Sequence, residues 1–221
     1  MTANERGAKG GLQGKARYGL TLVLGMLVLF WRIVIPTQVD ITAGIVILCV
    51  ALDLILTASV VFLNRKELKE AFSKRFTGKV FLKIILAFVI LYVASIIVVV
   101  ILITLGIEPA DPARLVGSEF RRVFPLGAVI SMVIVAPLLE ETVFRMAGKN
   151  LIKNGVLYVL ITSLLFAFIH TVNFSIVDNI DYFISGVVFS AVYLKTKDIR
   201  ITMGAHFLFN VIGVLMGLLQ G

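Results

Sequence analysis

Seven stretches of this chain are apolar enough and long enough to be read as membrane spans, and that pattern limits the fold more than anything else in it. A helix that crosses a bilayer needs about 20 mostly apolar residues. The runs are Tyr18–Ile35, Val39–Leu63, Val80–Leu105, Val123–Glu141 continuing as helix to Lys153, Gly155–His170, Ile180–Leu194 and Ile199–Leu219. In hydrocarbon each backbone polar group must be satisfied within its own segment, so such runs become helices. The 221 residues are 59% hydrophobic and only 15% charged, where soluble domains run nearer a quarter charged. The expected fold is therefore an all-α polytopic membrane helix bundle of about seven transmembrane helices, six to eight.

The organisation expected is one membrane domain in two parts. Residues 1–122 are N-terminal membrane helices with a basic cytoplasmic loop at 64–79. Residues 123–219 form a helical core that holds the candidate chemistry. The first run carries Arg32 and lacks a small-residue cleavage site, which reads as a retained span rather than a signal peptide. The loop Asn64–Lys79 holds six Lys or Arg against Glu67 and Glu70. It reads either as a basic amphipathic helix on the membrane surface or as a solvated charged loop.

The net charge of +8 sits mostly in loops beside apolar runs, which points to anionic lipid and not to nucleic acid. With the N-terminus cytoplasmic, 16 of the 21 Lys and Arg fall on the inside. The expected location is the plasma or cytoplasmic membrane, N-terminus inside. Arg114, Arg121 and Arg122 then lie in the external loop Gly106–Arg122, which Pro109 and Pro112 break. The one cysteine, Cys49, sits in an apolar run and reads as a small apolar filler. Gly213-x-x-x-Gly217 offers a close helix-packing face, read first as packing within the monomer, so the oligomeric state stays open.

Polar residues inside three of these runs carry the chemistry. Ionisable groups at membrane depth are costly, so they mark function by default. Glu140, Glu141 and Arg145 end the fourth run, His170 ends the fifth, and His206 and Asn210 lie early in the seventh. Glu141 and Arg145 are spaced i, i+4, close enough for an ion pair on one face. Glu140 lies about 100° around an α-helix from Glu141, so the two carboxylates need not share a partner. Phe166 and His170 share a face, as do His206 and Asn210. Pro137, three residues before Glu140, is expected to open the backbone ladder one turn earlier and to favour a small polar cavity nearby.

Each pair also has a plainer explanation: a salt-bridge cluster at a helix end, an interfacial histidine, an interhelical hydrogen bond. Geometry links the first two. Glu140 stands 15 residues before Gly155 and His170 stands 15 after it. In an antiparallel hairpin the two side chains meet at equal height, roughly 20 Å from the turn. His206 reaches that height only if its helix starts deeper.

Glu-Glu-x-x-x-Arg, Phe-x-x-x-His and His-x-x-x-Asn, in this order on hydrophobic helices, resemble the CAAX protease and bacteriocin-processing family, also called CPBP, Abi or Rce1-like intramembrane proteases. The resemblance covers about Val123 to Leu219. It implies that Glu140 activates a water, His170 holds that water or Glu140, and His206 and Asn210 stabilise the oxyanion. Glu141, Arg145 and Phe166 are implied as supporting residues. A glycine often follows the arginine in the fuller motif; here Met146 and Ala147 intervene before Gly148.

The activity implied is intramembrane endopeptidase action on a membrane-associated peptide or protein. The alternatives are a non-enzymatic bacteriocin self-immunity or signalling partner and, third, a proton-coupled transporter. The transporter reading is weakened by the absence of an inverted repeat. The family is often filed under metalloproteases, and a zinc site would use Glu140, His170 and His206. The glutamate mechanism without metal suits this residue set better, because zinc ligation would take the best-placed base.

Overall fold

The computed structural model describes residues 13–28, 43–107, 125–170 and 176–219. Arg32, the second half of the first apolar run, nearly all of the external loop, the side chain of Cys49 and the surroundings of Gly217 lie outside the described residues. Every element within them is helical, and among the described residues there is no strand. The helices are α1 (13–28), α2 (Ala43–Leu63), α3 (Arg65–Ser73), α4 (Gly78–Thr104), α5 (125–151), α6 (Gly155–Phe168), α7 (Ile176–Thr196) and α8 (Ile199–Leu219).

Helix α4 has 27 residues, about 40 Å of length. Its outer face exposes Phe81, Leu86, Ile90, Ile97, Val100 and Ile103, while Ile84, Ala87 and Leu91 are buried. A continuous apolar strip of that size on an outer surface is what lipid covers. Two helices, Gly78–Thr104 and Ile199–Met216, are long and apolar enough to cross a membrane; Val50–Leu63 and Gly155–Phe168 are shorter apolar helices.

Loop 64–79 contains a real helix, α3. Its inward side buries Leu68 against Met146, Ile199 and Met203. Glu67 also turns inward, taking hydrogen bonds from Arg17 and Tyr18 of α1. Burial pushes the Glu67 carboxyl up, but the bond and charge of Arg17 outweigh that and hold it below the usual range. Phe72 and Phe76 stay exposed beside the basic residues.

The core is built around α5. Val28 of α1 and Val60 of α2 pack with Leu139, Val143 and Phe144 of α5 and with Phe166 and Ile169 from the α6 side. The N-terminal helices thus share one core with the helices that bear the motifs. Helices α6 and α7 form a tight hairpin because of Gly186. A Cβ there would lie 2.8 Å from the Ser163 Cα, a backbone atom with no room to yield. On the other side Ile84, Ala87 and Leu91 of α4 meet Phe189 of α7 and Ile201 and Ala205 of α8.

Candidate active site

Helix α5 is not one regular helix. It runs α-helical over Pro125–Ile130, shifts to i→i+5 bonding over Ser131–Val135, returns to α over Ala136–Glu140, widens again over Glu141–Ala147 and ends at Gly148–Leu151. Such π segments are rare and collect at functional sites. The first lies just before Pro137, where an opened ladder was expected. In its register the Ala136 N–H bonds the Ser131 carbonyl. The next donor would be residue 137, which as proline has no N–H. The Met132 carbonyl instead accepts from Asn210 Nδ2 of α8 at 2.7 Å.

The second π segment begins at Glu141, directly after Glu140. Both residues keep helical dihedrals, and the two carboxylates, which the sequence did not require to share a partner, approach one imidazole. His206 lies between them. Its Nδ1 is 3.1 Å from Glu141 Oε1, and its Nε2 is 3.8 Å from Glu140 Oε2. The other Glu141 oxygen, Oε2, is 3.2 Å from Arg145 Nε, so the expected i, i+4 ion pair forms with both side chains fully buried. The Arg145 guanidinium also lies over Phe166, Phe189 and Phe144, at 4.8, 5.3 and 5.8 Å from the ring centres. Three ring faces and one carboxylate compensate a charge that membrane depth would otherwise expel.

His170 meets Glu140 at equal height, as the hairpin geometry requires. Its Nε2 is 3.6 Å from Glu140 Oε2. Its Nδ1 is 2.6 Å from the Phe166 carbonyl, which can only accept, so Nδ1 carries the hydrogen. His206 is arranged the same way, with Nδ1 toward the Glu141 carboxylate. With Nδ1 so engaged, both rings turn Nε2 toward Glu140 Oε2. That oxygen is buried and has no hydrogen-bond partner among the described residues. The three acceptors face one another across gaps longer than a direct hydrogen bond. A small molecule that donates would join them.

His206 reaches this height because α8 starts deep in the bundle. Ile199, its first residue, is buried against Met146 of α5. From that level, seven residues along α8 and six back along α5 reach His206 and Glu140. The α7–α8 link is held by Arg200, which bonds Asp198 and the Lys74 carbonyl. The Arg200 hydrogen bond keeps the Asp198 carboxyl below its usual range, against burial that pushes it up.

Two aromatic residues escaped the sequence reading. Tyr182 stacks on His170 with ring centres 4.6 Å apart, and Phe189 stacks on His206 at 4.8 Å. Both lie on α7, spaced i, i+7, so one face of that helix supports both imidazoles. That spacing was the available signal. Glu140 is only 3% exposed. Two cavities lie elsewhere, one among Glu67, Lys74, Met146 and Asp198 and one along Gly155, Val159 and Leu194.

Among the described residues no group of three or more His, Cys, Asp or Glu is drawn together to hold a metal ion.

Residues 122–212, which include all three motifs, match the family described as type II CAAX prenyl endopeptidase Rce1-like. The chain is also similar to UPF0177 protein YvdC of Lactococcus lactis subsp. lactis (strain IL1403), 27% identical over 139 residues. That match covers 62% of this chain and 53% of the relative, so the chain spans about half the length of the curated relative it matches. No solved structure matches.

Proposed function

We propose, from the match of residues 122–212 to the Rce1-like family, that this protein is a CAAX-type intramembrane endopeptidase in which Glu140 activates the hydrolytic water. The observation that carries the reading is the convergence of Glu140 Oε2 with the Nε2 atoms of His170 and His206, at 3.6 and 3.8 Å, in a nearly sealed apolar interior.

Amide hydrolysis needs a base, a water and donors for the developing oxyanion. A water between these three acceptors gives one hydrogen to Glu140 and another to an imidazole. Its oxygen is then aimed at a carbonyl delivered along the bundle. Glu140 takes the proton as the carbon–oxygen bond forms and returns it to the leaving amine. The oxyanion falls to Asn210 first. Its amide nitrogen carries two hydrogens, and Met132 uses one. His206 directs its Nδ1–H to the Glu141 carboxylate, so its Nε2 is the atom left to orient the water. No step calls for a metal.

The substrate class is a prenylated or otherwise membrane-bound peptide. The other partner is lipid: α3 and the turn after it lie on the cytoplasmic surface with Lys66, Lys69 and Arg75 at anionic headgroups and Phe72 and Phe76 among the upper acyl chains. Seven helices cross the membrane in this reading, with the N-terminus inside.

The test is a farnesylated CAAX-box peptide incubated with purified protein in detergent, its products weighed by mass spectrometry. The reading expects release of the C-terminal tripeptide, undiminished in EDTA, with no stoichiometric zinc by elemental analysis. Release that is lost in EDTA and restored by zinc overturns the metal-free mechanism. No cleavage of this peptide or of any bacteriocin or pheromone precursor in the same membranes overturns the enzyme.

A further inference from the structure

We propose that Pro137 is a positioning residue: because it has no N–H to offer Met132, it leaves open the carbonyl that docks the Asn210 amide against the helix carrying Glu140. The inference rests on the oxyanion role proposed for Asn210 and explains how that side chain is aimed.

Three observations meet here. The backbone over Ser131–Val135 bonds i→i+5, with the Ala136 N–H on the Ser131 carbonyl. Continued by one residue, that register assigns the Met132 carbonyl to the N–H of residue 137, and the sequence places proline there. Asn210 Nδ2 then donates to that carbonyl at 2.7 Å from a helix 78 residues away in the chain. An unsatisfied carbonyl at membrane depth costs several kcal/mol, so an acceptor opened in this way captures a donor from a neighbouring helix.

The capture has a directional consequence. A carboxamide is planar, and its two N–H bonds diverge at a fixed angle. Once Met132 holds one, the direction of the second is set. Asn210 shares α8 with His206 one turn away, and Met132 shares α5 with Glu140 two turns away. The bond thus ties the helix of the third motif to the helix of the first. Any other residue at 137 would supply the missing N–H, close the register and release the amide.

The prediction has an unusual sign. A structural proline, when replaced, lowers stability and activity together. Pro137→Ala removes a helix breaker and restores a backbone bond, so it melts no lower than wild type. Its turnover of the farnesylated peptide nevertheless falls between ten- and a hundredfold, with KM within about twofold, because the donor is misaimed and not lost.

A thermal cycle in detergent, on the full chain, tests the coupling without any substrate. Asn210→Ala lowers the melting temperature of wild type by about 2–4 °C, the size of one hydrogen bond in a chain of this length. In the Pro137→Ala background the same change has no effect, because Met132 is already satisfied. Equal drops in both backgrounds overturn the proposal. Full turnover by Pro137→Ala beside a hundredfold loss in Asn210→Ala also overturns it and leaves the role of Asn210 standing. Wild-type turnover in Asn210→Ala refutes the underlying role instead. Should Pro137→Ala fail to fold, Pro137→Ser carries the same N–H and takes its place in the cycle.

Discussion

Removing Glu141 isolates the buried charge chain from the reaction itself. In the structure its carboxylate is fully enclosed, with one oxygen 3.2 Å from Arg145 Nε and the other 3.1 Å from His206 Nδ1. Glu141→Ala strands a guanidinium that has no aligned hydrogen-bond acceptor among the described residues, only three aromatic faces. Breaking one side of a buried pair destabilises by about 3–5 kcal/mol. For a chain of this length that is a fall of about 6–20 °C in melting temperature. Arg145→Ala strands the carboxylate and falls by a similar amount. Replacing both with apolar residues of similar volume, Glu141→Leu with Arg145→Met, leaves no orphan charge and loses less than the two single variants together. The shortfall is about 0.5–3 kcal/mol, as for residues in direct contact. His206 Nδ1 still lacks its acceptor in that double variant, so turnover stays low while stability recovers. Thermal unfolding of the four proteins in one detergent gives the answer. Strictly additive losses, or single variants that melt like wild type, refute the pair.

Gly186→Leu forces a side chain into the Ser163 backbone, which a Cβ alone would already approach to 2.8 Å, and should prevent the α6–α7 hairpin from closing; protein recovered in folded, monodisperse form would contradict that packing. Glu67 and Asp198 both have depressed folded pKa values, so each stabilises above its unfolded value near 4 and loses that contribution as the pH falls through the lower folded value. Melting temperature is accordingly flat from pH 7 to about 5 and declines below 4, less steeply in Asp198→Asn; an unchanged decline in that variant would remove Asp198 from the account.

Much of this was legible before any coordinates. The positions of the helices follow from apolar run length, and the structure puts a helix at each of the seven runs. The meeting of His170 and Glu140 followed from counting residues on either side of Gly155. The ion pair of Glu141 and Arg145 followed from their spacing. Three things were not legible. The depth of His206 depends on Ile199 packing against Met146, a contact between residues 53 positions apart. The approach of two adjacent carboxylates to His206 depends on where α8 lies against α5, which no local spacing reports. The Asn210–Met132 bond goes with the irregular bonding over Ser131–Val135, for which Pro137 was the one local sign. Regular geometry can be counted along a chain, but departures from it are decided by which neighbour satisfies a freed backbone group.

The most direct test of the central claim is Glu140→Gln, a change of one atom in a carboxylate that is 3% exposed and holds no structural ion pair with Arg145. Wild type and variant are compared at equal folded concentration on the farnesylated CAAX-box peptide, with tripeptide release counted by mass spectrometry. The account predicts a variant that melts within a few degrees of wild type and releases no tripeptide above the uncatalysed rate. Release within tenfold of wild type would contradict it, because a carboxamide in that position cannot take a proton from water.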